Sequence, residues 1–150
     1  MINKRILPWL TLDMVLFVVV NAYLISRHGD KFSRLTGIGF LHVFVLGLAA
    51  YRAANIVSSE VVTKPLRAPF VEETTKGGKT VEKPKRSGFL GAVGLLLYCP
   101  SCTGVWLSAA IVYFYVFWPL QTFLVSLFLA LSAIERIIAA LLGWLRQPGE

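Results

Sequence analysis

The 150-residue chain can form one compact unit, and with 56% hydrophobic residues and a mean hydropathy of +0.67 it is too apolar for an ordinary water-soluble domain. Its net charge of +7 does not make it a nucleic-acid binder, because the basic residues fall between long apolar runs rather than on a water-facing, groove-reading surface. Two cysteines are too few for a disulfide framework and supply only half of a four-thiolate zinc site.

A helix rises about 1.5 Å per residue and needs about 20 mostly apolar residues to cross a hydrocarbon layer of about 30 Å. The first stretch that suffices, or nearly does, covers residues 9–26. Lys4 and Arg5 precede its apolar run MVLFVVV in the manner of a signal peptide, but no small-x-small cleavage site follows, so the segment is predicted to be retained. The second covers 38–57, and a polar interval, 58–87, comes next. Within it KGGKTVEKPKR (76–86) sets five basic residues against Glu82 alone. This tract is predicted to be flexible and to lie along anionic lipid headgroups, with about 1 kcal/mol of attraction per basic residue. The apolar piece GFLGAVGLLLY (88–98) is too short to span and is cut off by Pro100, as in an interfacial or re-entrant helix. A third crossing over 103–118 is closed by Pro119, and a fourth follows over 120–144. The predicted fold is therefore all-α: a polytopic membrane bundle of four transmembrane helices in a single domain, 1–150, with one short helix before the Cys-x-x-Cys turn.

Basic residues set the orientation. Lys4, Arg5, Lys64, Arg67, Lys76, Lys79, Lys83, Lys85, Arg86 and Arg146 fall on one side, against Arg27, Lys31 and Arg34 on the other. The positive-inside rule then places both termini and the 58–87 loop in the cytoplasm, in a multi-pass protein of the inner (plasma) membrane. Trp9, Trp118 and Trp144 lie near helix ends, where indole rings favour the headgroup level.

Charges inside a bilayer cost about 2.5–3.5 kcal/mol at its centre, so Asp13, His42, Arg52, Glu135 and Arg136 each call for a partner or a role. All but His42 fall in the half predicted to face the cytoplasm, which suggests one shared polar cluster in which Arg52 meets Glu135 or Asp13. His42 is expected to hydrogen-bond a neighbouring helix. Small residues four apart (Ala49 and Ala53, Ala50 and Ala54, Gly104 and Ser108, Ser126 and Ala130) let helix backbones approach closely, within the bundle or in a homo-oligomer. In TKPLRAPF (63–70), Pro65 and Pro69 are expected to push Lys64 and Ala68 toward extended geometry and to make the loop stiff. Arg67 would then be presented rigidly to a carboxylate or phosphate, Glu60 of the same chain being the favoured choice.

The stretches YRAANIVSSEVVTKPLRAPF (51–70) and GLLLYCPSCTGVW (94–106), in that order and separation, resemble the small bacterial and phage membrane proteins of domain-of-unknown-function family 1360, some of them linked to sporulation. The resemblance covers roughly residues 40–140. It implies a motif made of Arg52, Glu60 (often Asp in the family), Thr63, Pro65, Arg67, Pro69, Phe70, Cys99, Cys102, Gly104 and Trp106. Residues 9–26, with Asp13, are not tied to the family pattern by this resemblance. The family brings no established chemistry.

Three functions compete. A non-enzymatic structural or interaction component, meeting lipid headgroups or a membrane-protein partner, accounts for the most residues. A thiol-disulfide oxidoreductase using Cys99 and Cys102 would need an electron route that one cysteine pair does not supply. A small channel, transporter or holin would need a polar stripe along a whole helix, whereas these charges gather toward one side. No cofactor is expected, since Cys99 and Cys102 would hold zinc only if a second subunit contributed the same pair.

Overall fold

The computed structural model describes residues 7–76, 79–84 and 88–146. Lys4, Arg5, Lys85 and Arg86, which weigh in the predicted orientation, lie outside the described residues. The elements are α1 (Leu7–Phe32), α2 (Phe40–Ser59), the one-turn α3 (Lys64–Arg67), strands β1 (Val71–Lys76) and β2 (Lys79–Pro84), α4 (Gly88–Tyr98), α5 (Pro100–Phe117) and α6 (Pro119–Leu145). Four helices, α1, α2, α5 and α6, are long and apolar enough to cross a membrane, and α4 is the shorter apolar helix.

The predicted helices stand, with shifted ends. α1 runs on past residue 26 and bends at His28, whose φ of −128° and ψ of 25° are not helical. α5 begins at Pro100 rather than 103. Proline at the first helical position loses no hydrogen bond, because the first-turn N–H groups have no intrahelical partner, and its fixed φ suits a helix start. Pro119 opens α6 in the same way, leaving Trp118 as the single residue between two long helices.

Two expectations for the polar interval are corrected. β1 and β2 pair antiparallel from Val71↔Pro84 to Lys76↔Lys79, so most of the supposedly flexible tract is a hairpin strand. The overlooked signal is Gly-Gly between two runs containing Thr and Val, the composition of a two-residue hairpin connection. Lys64 (φ −53°, ψ −45°) and Ala68 (φ −48°, ψ −39°) are helical rather than extended. The preference imposed by a following proline is overridden where the Ala68 N–H closes a turn on the Lys64 carbonyl at 2.9 Å, followed by Phe70 N–H on the Arg67 carbonyl at 2.8 Å.

α2 is the central helix and packs along α6 and α5. Its small residues Ala49, Ala50 and Ala54 are buried, as are Ser126, Ala130 and Ala133 of α6. Gly104 of α5 faces Ala54, at a distance where an added methyl would come within 3.7 Å of the alanine Cβ. The Ala50/Ala54 and Ser126/Ala130 steps thus lie buried within the bundle, whereas Ser108 of the Gly104/Ser108 step is exposed. α1 buries no residue. It leans on α5 through the edge-to-face pair Phe17–Trp106, ring centres 4.9 Å apart, and through the Tyr113 hydroxyl donating to Asn21 Oδ1. His42 meets the rings of Phe123 (4.8 Å) and Tyr115 (6.4 Å), so aromatic packing takes the place of the expected hydrogen bond.

Large apolar side chains cover the outside: Met14, Val18, Phe40, Leu41, Leu120, Phe128 and Trp144 are each more than 60% exposed. A water-soluble monomer rarely leaves so much contiguous apolar surface uncovered.

Candidate functional site

α2 and α6 finish at the end of the bundle where α5 begins, and the family-motif residues collect there. α2 stops because Glu60 turns extended, at φ −87° and ψ 152°, and leaves the last carbonyls of the helix without intrahelical partners. The chain then folds back over that end. The Thr63 hydroxyl lies within hydrogen-bond reach of the carbonyls of Ile56 (2.6 Å), Glu60 (3.0 Å) and Val57 (3.2 Å). Arg67, only 5% exposed, donates from Nη1 to the Val57 carbonyl at 2.9 Å and to Thr63 Oγ1 at 3.4 Å. A cation bonded to the last carbonyls of a helix also meets the negative end of its dipole. Arg67 therefore serves α2, and the expected pairing with Glu60 is not the one formed.

Glu60 is occupied by two other arginines. Arg52 Nη1 donates to Glu60 Oε1, and Arg136 Nη1 reaches the same oxygen at 2.7 Å. Arg52 is held further by its Nε on Ser132 Oγ of α6 at 2.9 Å. The shared charge cluster exists, but Arg52 takes neither Glu135, which is exposed, nor Asp13. Glu60 wins because the turn after α2 carries its carboxylate back over the helix it terminates, toward a guanidinium eight residues earlier. Asp13 accepts instead from the Trp106 indole N–H at 3.4 Å, tying α1 to α5.

The polar interval and the start of α5 are joined by contacts that apolar patterning does not reveal. Thr103 donates from Oγ1 to the Leu96 carbonyl of α4 at 2.8 Å and accepts from Ser58 Oγ of α2 at 3.4 Å. One buried hydroxyl thus connects three helices. Phe70, Pro69 and Pro65 bring the chain to α4, where the Phe70 carbonyl lies against Gly94: a Cβ there would come within 2.3 Å of that oxygen. Ser58, Gly94, Thr103 and Ser132 were not among the residues singled out from the sequence. Their signal is a small polar or missing side chain within an otherwise apolar helix.

Cys99 caps α5. Its Sγ accepts the Cys102 N–H at 3.4 Å, and the two Sγ atoms are 2.6 Å apart as free cysteines. The hydrogen bond from the Cys102 side chain, followed by the backbone N–H of Cys102, holds the Cys99 thiol below its ordinary value of 9.0. Among the described residues no group of three or more His, Cys, Asp or Glu side chains is arranged to hold a metal ion. The carboxylate shared by two guanidiniums is thus charge-compensated and engaged, while the two cysteines are free thiols.

The family model described as a protein of unknown function (DUF1360) matches residues 45–142. The chain is similar to the sporulation protein YjcA of Bacillus subtilis (strain 168), 29% identical over 116 residues that cover 73% of this chain and 98% of that protein. It is also similar to the UPF0713 protein YngL of the same organism, 26% identical over 106 residues, covering 71% and 82% respectively. No solved structure matches.

Proposed function

This chain belongs to the uncharacterised DUF1360 family, and on that premise we propose that it is a multi-pass component of a bacterial plasma membrane with a structural or interaction role rather than an enzymatic one. The observation that carries the proposal is how the motif side chains are used. Arg52, Glu60, Thr63 and Arg67 are engaged with the helix ends and helices of their own chain. Removing one partner of such a cluster leaves the other groups without theirs, so the network favours one packing arrangement. The apolar exterior and four membrane-length helices support the setting, as does the likeness to a sporulation protein of Bacillus. The excess of basic residues in the 58–87 interval supports a cytoplasmic position for it, beside an anionic leaflet.

Two measurements test this. In a chain lacking Cys99 and Cys102, a cysteine placed at Lys79 should react with an impermeant maleimide only after the cells are opened; labelling of intact cells overturns the orientation. Arg52→Ala and Thr63→Val should lower the unfolding temperature of the protein in detergent. Parental stability in both variants would mean that the motif is kept for a ligand, and the structural role would fall.

A further inference from the structure

We propose that Cys99 and Cys102 form a dithiol that exchanges reversibly with disulfides, with Cys99 Sγ as the attacking sulfur and Cys102 Sγ as the resolving one. The placement comes first. The two sulfurs are direct neighbours across one helical turn, as formation of a disulfide bond of about 2.05 Å requires. Cys102 is exposed and Cys99 partly exposed, which leaves both within reach of a small molecule.

Capping alone does not account for the residues chosen. A helix N-cap is best made by Ser, Thr, Asp or Asn, and sulfur is a weak acceptor. A second thiol three positions on, whose backbone N–H already makes the cap, adds nothing to it. The pair is instead explained by sulfur chemistry. The N–H groups of the first turn of α5 stabilise an anion at the cap, and the Cys102 hydrogen bonds hold the Cys99 thiol below its usual range. Cys102 is placed to follow, because its sulfur already touches the one it must attack. Pro100 and Ser101 keep the intervening turn helical, and so maintain the spacing.

The exchange runs in two displacements. The Cys99 thiolate attacks one sulfur of an external disulfide, forming a mixed disulfide and expelling the first external thiolate, which takes a proton from water. Cys102 gives its proton to solvent and attacks the Cys99 sulfur. The protein disulfide forms, and the second external thiol leaves. Two protein thiols are oxidised and one external disulfide is reduced to two thiols; an external dithiol reverses the sequence. This requires no second cysteine pair in the chain, and it stands independently of the component role proposed above.

The experiment uses the full, reduced chain in detergent, treated with glutathione disulfide and followed by intact-mass spectrometry. The parent should lose two hydrogens and release two glutathiones, whereas Cys102→Ser should retain one glutathione, mapped to Cys99. Cys99→Ser should react more slowly than Cys102→Ser near neutral pH, because it lacks the sulfur whose thiolate is favoured at the cap. Stable glutathione adducts on the parent without loss of two hydrogens, no reaction at all, or a Cys99→Ser rate equal to that of Cys102→Ser would overturn the proposal. Should either serine variant fail to fold by circular dichroism, limited iodoacetamide labelling of the parent decides between the two sulfurs. Cys99 modified first supports the assignment, and Cys102 modified first overturns it.

Discussion

The carbonyl oxygen of Phe70 occupies the space that a side chain on Gly94 would need, so that a Cβ at that position would come within 2.3 Å of it. The obstacle is backbone, which cannot swing aside as a flexible side-chain tip can. Gly94→Ala should therefore part the segment before β1 from α4 and destabilise the protein by about 1–3 kcal/mol, the usual cost of overpacking. Gly47 supplies the control, because nothing lies within 4 Å of its added Cβ. Gly47→Ala should be neutral or stabilising by up to about 1 kcal/mol through helix propensity. Thermal unfolding of both variants in detergent checks the pair, and equal midpoints would refute the contact.

Arg52 should matter more than the other arginines of its cluster. Its side chain is 12% exposed, against 54% for Arg136 on the same carboxylate. Removing it strips a half-buried Glu60 of its closer partner and frees Ser132. Arg52→Ala should cost about 3 kcal/mol or more; Arg136→Ala should cost about 1 kcal/mol or less, as expected of a solvent-screened pair. Arg146, exposed at the end of α6, should be neutral when changed to alanine. The ranking is read from denaturant or thermal midpoints, and an Arg146→Ala effect as large as that of Arg52→Ala would contradict it.

Thr103→Val keeps shape while removing the hydroxyl that bonds Leu96 and Ser58. A loss of about 1–2 kcal/mol is expected, because the Leu96 carbonyl and the Ser58 hydroxyl are left with weaker partners away from water. Thr103→Ser restores the oxygen and should recover most of that loss. If Val and Ser variants unfold together, the hydroxyl has no part in joining the three helices.

The lowered pKa of Cys99 makes a signed prediction. The folded state favours the thiolate relative to the unfolded chain, so the stabilisation is fully present above the ordinary value of 9.0. It is lost as pH falls through the lowered folded value. Iodoacetamide alkylation of Cys99 in the native protein should accordingly show a midpoint below 9.0, and Cys102→Ala, which removes the largest cause of the shift, should move that midpoint upward. An unchanged midpoint would show that the Cys102 side chain does not act on Cys99.

Hydropathy, proline positions and length by themselves determined the helices. Apolar runs of about 20 residues have one economical conformation where water is absent, and each run predicted from the sequence is a helix of the structure. Prolines 100 and 119 marked helix boundaries for the same local reason, though each begins a helix where the sequence reading used it to end the one before. The family was equally legible, from two stretches that carry the resemblance in order. Partner choice was not. Asp13 and Glu135 were the carboxylates expected at depths compatible with Arg52, and the reversal of the chain after Ser59 brought it Glu60 instead. Arg67 likewise went to a carbonyl of α2, because the fold-back over that helix end creates acceptors that no side-chain inventory contains. Spacing along a chain fixes which face of its own helix a residue occupies; which neighbour that face meets depends on how the helices turn and pack together.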